Sequence, residues 1–192
     1  MTPSPPIFLS HAAVDQEIAI ALKTHLKSAL PGVDVFVSSD GEDLQLGDPW
    51  VETILGALGR AKLLLALTTE RGLSRKWVWF EAGRTWFSGV RCIPCCVGTR
   101  RKDSLPAPFS SLQSTNVDEV SGLKNLIERC CEELAVTSAA IDLKAVTDDL
   151  VRLDVRAEER QRLSEDYFGS ELTQEVDRVM KEWTLDRGWY SD

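Results

Sequence analysis

Apolar positions alternate between short runs and helix-spaced stripes over the first two thirds of the chain. Ile7-Phe-Leu9 is a short apolar run ending at Ser10-His11, after which Val14, Ile18, Leu22, Leu26 and Leu30 recur at the spacing of one helix face. A strand followed by an amphipathic helix is expected. Pro31-Gly32 stops that helix, and Val33-Asp-Val-Phe-Val37 alternates as a second strand. Residues 38–48 are polar, carry Gly41 and Gly47, and read as a loop, long for an α/β connection. Asp48-Pro49-Trp50 then opens a helix, with Asp48 as the cap and Pro49 at the first position, where its missing N–H costs nothing. That helix runs to about Gly59 and is weakened by Gly56.

Leu63-Leu-Leu-Ala-Leu67 is a continuous apolar run, the mark of a strand covered on both faces in a parallel sheet. Residues 68–73 are its loop, and a helix over Ser74 to Phe87, closed by Gly89, comes next. Val90 to Val97 reads as a fourth strand, in which Pro94 removes a ladder donor and suggests an irregular or edge position. Ser114 to Val117 is a brief fifth strand, and Gly122 to Leu134 a helix with Leu123, Leu126, Ile127 and Leu134 on one side. Strand and helix alternating about five times define the fold class: α/β, a flavodoxin-like doubly wound parallel five-stranded sheet with helices on both faces.

From Val136 the strand signal stops. Ile141, Leu143, Val146, Leu150, Val151 and Leu153 suggest one helix, and Leu172, Val176, Val179, Met180 and Trp183 another. The expected organisation is a domain over 1–134 and a helical, acidic C-terminal extension over 135–192. The extension is expected to pad the sheet, pair with another copy or bridge to a protein partner, and the residues do not choose among these. Charge follows the same division: 8 basic and 14 acidic residues fall in 135–192, leaving 14 and 16 in the first 134. A total of 22 Lys and Arg against 30 Asp and Glu, net −8, argues against a nucleic-acid backbone as partner. Met1 to Pro6 is unlike a secretory signal, and no run approaches the ~18 apolar residues of a membrane span. Five cysteines, an odd number, suit reduced thiols, and the protein is expected in the cytoplasm.

The candidate chemistry centres on Ser74-Arg-Lys-Trp-Val-Trp-Phe-Glu-Ala-Gly83, which sets one carboxylate among three aromatic residues. If Ser74 caps a helix, Trp77 and Glu81 share one face, one turn apart. On these residues alone Glu81 is either a working carboxylate or a solvated one paired with Arg84, with Trp77 simply packing. Ser10, the 38–48 loop and the segment leading to Glu81 each follow a strand, so all three are expected at the carboxyl edge of the sheet. Cys92-Ile-Pro-Cys95 matches C-x-x-C in form, but it lies in an apolar strand pattern and reads as packing. Only His11 and His25 could supplement the thiols, so no metal site is expected. No G-x-S-x-G, P-loop or G-x-G-x-x-G occurs.

Phe8-Leu-Ser10 with Asp15, the loop Glu42-Asp-Leu-Gln-Leu-Gly-Asp-Pro-Trp50, and Trp77-x-x-x-Glu81, in this order, resemble the Toll/interleukin-1 receptor/resistance (TIR) domain of the bacterial type. The resemblance covers the first ~134 residues. It implies cleavage of NAD+ at the nicotinamide–ribose bond, with Glu81 as the catalytic glutamate and NAD+ as substrate, no cofactor being needed. By the same analogy Ser10, His11, Asp40, Trp50 and Trp77 line the substrate crevice, Trp50 stacking on a base and Trp77 shaping the wall. It also implies self-association through the TIR domain, and a role in bacterial defence or signalling. Where some members carry arginines after the first-strand serine, this chain has Ala12-Ala13. Phosphate contacts are then expected from Arg75, Lys76, the Arg100 to Lys102 cluster or another subunit. Two alternatives stand beside this reading: a non-catalytic adaptor acting by protein contacts, and a transferase acting on a different nucleotide.

Overall fold

Leu63-Leu-Leu-Ala-Leu-Thr68 has no polar residue before its last position, and it becomes the middle strand, buried along its whole length. In the computed structural model, which describes residues 6–37, 50–73, 89–99 and 101–163, this strand is β3. The others are β1 (Ile7–Ser10), β2 (Val35–Val37), β4 (Arg91–Cys96) and β5 (Thr115–Asn116). All pair in parallel in the order β2-β1-β3-β4-β5. The doubly wound parallel sheet expected from the alternation is thus what forms.

The period of two along each strand divides the core in half. Ile7, Leu9, Leu63, Leu65, Leu67, Ile93 and Cys95 face one layer; Phe8, Phe36, Leu64, Ala66 and Cys96 face the other. Helix α1 (Gln16–Ala29) covers the first layer with Ile18, Ala19, Leu22, Leu26 and Ala29, all buried at helical spacing. Helix α2 (Trp50–Arg60) covers the second with Ile54, Ala57 and Leu58, beside Leu105 and Phe109. Helices α3 (Glu70–Leu73) and α4 (Val120–Leu134) follow, and α4 joins the first layer through Leu123, Leu126, Ile127 and Cys130.

Several boundaries differ from the sequence pattern. Val14, counted in the α1 stripe, belongs instead to a 3-10 turn, Ala13–Asp15, and is exposed. The 68–73 loop contains α3, because Thr69 caps it: the Gly72 amide donates to Thr69 Oγ1 at 2.8 Å. Pro94 lies on β4, an interior strand, but at a position where β5 does not reach. Val97 N–H bonds Thr68 on the β3 side while Cys96 C=O accepts from Val117 on the β5 side, so by alternation Pro94 N also faces β5. β5 pairs only with Cys95 and Cys96, so no ladder bond is lost at the proline.

The chain forms two compact units, Met1–Val155 and Arg156–Asp192. In the first, residues 143–155 are helical (α5), and Val146 and Leu150 enter the core layer of α1 and α4. Ala139 N–H bonds Ala29 C=O at 2.8 Å, fastening the approach to α5 against the end of α1. In the second unit, residues 156–163 are helical. The expected helices over Ser74–Phe87 and Leu172–Trp183 lie outside the described residues. Among those described, no helix is long and apolar enough to cross a membrane.

Candidate functional site at the carboxyl edge of the sheet

β1, β3 and β4 end at one edge of the sheet, and the polar residues that follow β1 and β3, His11 and Thr69, are buried. Ser10 closes β1 without exposure, and His11 follows it, almost fully buried. Burial pushes the His11 imidazole down to about 4, a pull that a hydrogen bond to the Leu9 backbone only partly offsets. His11 is therefore neutral at pH 7.

Of a second group at this edge, the sequence singled out Asp15 alone, as the opening of α1. Asp15 stands at the N-terminus of α1 yet makes no capping bond there. Its carboxylate turns inward: Oδ2 accepts from Thr69 Oγ1 at 2.6 Å, and Oδ1 accepts from Arg71 Nε at 3.2 Å and Nη2 at 3.0 Å. Arg71 Nη2 also donates to Asp154 Oδ1 of α5 at 2.6 Å. The side chains of Arg71, Asp15 and Asp154 are 6%, 0% and 7% exposed. One guanidinium thus serves two carboxylates away from water.

The electrostatics follow from that burial. Desolvation pulls the Arg71 pKa down, but Asp154 and Asp15 outweigh it and the net shift is upward, so the guanidinium stays charged. Desolvation raises the Asp15 pKa, held back by Thr69 and Arg71 and pushed further by Asp154. Two glycines make room for the group. A Cβ at Gly72 would stand 2.9 Å from Asp15 Oδ2, and one at Gly98 would overlap the Asp154 carboxylate. Gly98 also has φ +77, a conformation L side chains rarely adopt.

Two readable signals pointed to this group. Thr69 stands three residues before Gly72, in capping position. The buried stripe of α5, Val146, Leu150, Asp154, continues its helical spacing through an acid, whereas Leu153, expected on that stripe, is only partly buried.

Of the six residues expected to form the crevice, the structure places Ser10 and His11 at this edge. Asp40, Trp77 and Glu81 lie outside the described residues, as does the side chain of Trp50. Among the expected phosphate contacts, Arg101 is committed elsewhere: its Nη1 donates to both oxygens of Asp118, at 2.9 and 3.0 Å. Arg75, Lys76 and Arg100 lie outside the described residues. The five cysteines are free thiols, and burial pushes Cys95 and Cys130 upward, the latter to about 12. Such thiols are poor nucleophiles.

A five-stranded parallel sheet in this order, with helices on both faces and polar loops gathered at its carboxyl edge, defines a flavodoxin-like α/β domain. The family model of the TIR domain matches residues 7–130, from β1 into α4, and the chain belongs to the TIR-domain family. That family includes NAD+-cleaving members, and TIR domains commonly self-associate. No curated protein sequence matches the chain.

Proposed function

We propose that this TIR domain is an NAD+ glycohydrolase that releases nicotinamide and ADP-ribose, or its cyclised form. It would act as a bacterial defence or signalling effector switched on by self-association. One observation carries the reading: the family match spans Trp77-x-x-x-Glu81, where NAD+-cleaving members hold their catalytic glutamate.

The chemistry suits a single carboxylate. Nicotinamide leaves from a pyridinium, so it departs neutral and needs no general acid. What grows in the transition state is positive charge on the ribose, which a fixed anion bonded to the ribose hydroxyls stabilises. In this reading Glu81 is that anion, and Trp77, Trp50, Asp40, Ser10 and His11 bind the dinucleotide. Neutral His11 supports it, because an imidazolium at the same edge would oppose both the pyridinium and the ribosyl cation.

The test is nicotinamide release by concentrated or assembled protein, comparing wild type with Glu81→Ala and Glu81→Gln. Both variants should lose roughly 100-fold or more in turnover while keeping the wild-type circular dichroism. Turnover surviving both substitutions removes Glu81 from the mechanism. A wild-type protein inert in every assembly state, yet binding a protein partner tightly, favours the adaptor reading.

A further inference from the structure

The pairing of Arg71 with Asp15 looks bidentate and is not. Nε and Nη2 both reach Oδ1, at 3.2 and 3.0 Å, because Thr69 Oγ1 occupies Oδ2 at 2.6 Å. Two donors converging on one acceptor leave the guanidinium a pivot, unlike a fork on two oxygens, which fixes its plane. The shorter bond, 2.6 Å from Nη2 to Asp154 Oδ1, supplies the second fixed point. It comes from α5, in the stretch read from the sequence as an extension.

What Arg71 holds is α3. Four residues make a helix far too short to persist alone, since nucleation costs more than one turn returns. Its anchors include Leu73, buried in the second core layer, the Thr69 hydroxyl, which accepts from the Gly72 amide and donates to Asp15, and the Arg71 side chain. Stability alone is a poor reason for this cluster. It buries one carboxylate more than its cation balances, and a buried ion pair is often no better than an apolar replacement. Close fit favours a positional role: Gly98 leaves no room for a Cβ beside Asp154.

We propose that Asp154 is a positioning residue: by sharing the Arg71 guanidinium with Asp15, it fixes α3 against the loop after β1. α5 is thereby an integral part of the working domain. Leu73 ends α3, and the chain continues directly into Ser74 and the segment carrying Glu81. The consequence for turnover rests on the NAD+ reading; the latch itself does not.

The experiment is hydrogen exchange on the full chain, with nicotinamide release measured in parallel, for Asp154→Asn, Asp154→Ala, Arg71→Ala and the double variant. Asp154→Asn should speed exchange at Gly72 and Leu73 about tenfold or more, the scale of one charge-assisted bond, with the β3 amides unchanged. Turnover should fall about tenfold through kcat, with KM for NAD+ little altered. Because Asp154 acts through Arg71, adding Asp154→Ala to Arg71→Ala should change α3 exchange no further. Should Arg71→Ala fail to fold, the exchange pattern of Asp154→Asn alone decides. Unchanged α3 exchange in Asp154→Asn overturns the proposal, as does faster exchange spread evenly over the sheet. If wild type releases no nicotinamide, the NAD+ reading fails and the exchange result alone decides the latch.

Discussion

α5 is fastened at two places by ionic contacts of similar chemistry in different surroundings. Toward its C-terminal end Asp154 meets Arg71 and Asp15, all nearly without exposure. One and a half turns earlier, Asp149 accepts from His25 Nε2 of α1 at 3.1 Å and pairs with Arg152, the His25 and Asp149 side chains being 27% and 26% exposed. His25 first, then burial in the opposite sense, then Arg152 set the Asp149 carboxyl below its ordinary range. At the rim, water replaces a lost partner, so such a pair contributes roughly 0–1 kcal/mol. In the latch nothing replaces it, and removing one partner costs roughly 3–5 kcal/mol. Of these two ionic contacts, the one at Asp154 holds α5 the more strongly, beside the apolar packing of Val146 and Leu150.

The largest expected effect is that of Arg71→Ala, which leaves two buried carboxylates facing each other. Urea denaturation should show a loss of roughly 3–5 kcal/mol, and a loss below about 1 kcal/mol would erase the contrast with the rim. Asp154→Ala should cost less, because a balanced Asp15–Arg71 pair remains.

Next comes a pH effect at the same buried edge. The folded pKa of His11 is depressed from 6.5 to about 4, so its contribution is complete above pH 6.5 and lost as pH falls toward 4. That window should remove roughly 3 kcal/mol, and His11→Gln should flatten it. Asp15, with its raised pKa, acts in the opposite sense and loses stability as pH rises, which the His11 variant leaves in place.

Gly98→Ala strikes the latch from the β4 side. With φ +77 and an overlap with Asp154, it should destabilise by about 2 kcal/mol in thermal melts and loosen α3 as Asp154→Asn does. Ala135, which ends α4 at φ 54, probes the connection to α5. Ala135→Gly should stabilise by about 1 kcal/mol, since an alanine is strained in that region. Smallest is His25→Ala at the rim: about 0.5 kcal/mol, vanishing in about 1 M salt, where Arg71→Ala keeps its full cost.

Periodicity made the sheet legible. The apolar runs Ile7–Leu9 and Leu63–Leu67 and the alternation of Val33–Val37 mark the strands, and the period of two along each then divides the side chains between the layers. The α1 face was readable from Ile18, Leu22 and Leu26 for the same reason. The latch was less so, because its members are polar residues in three distant segments whose meaning depends on tertiary approach. Asp15 looked like a helix opener, and no local pattern tells an acid that caps a helix from one that turns inward. Residues 135–155 read as an appendage because no strand follows them, whereas the first unit runs to Val155 and Val146 and Leu150 lie in its core. The place of Ser10 and His11 at the sheet's carboxyl edge was legible, since Ser10 ends β1 and His11 follows it.

Pro94 has a bearing on how copies of this domain can meet. Only two residues of β5 line β4, so among the described residues Arg91 to Pro94 has no neighbouring strand on its outer side. That stretch is not an open edge, since Ile93 and Pro94 are buried, and any strand prolonging the ladder there would meet a pyrrolidine ring where it needs an amide hydrogen. Little of β4 is therefore left on which a further strand could grow, and contacts between copies on this flank are expected through side chains.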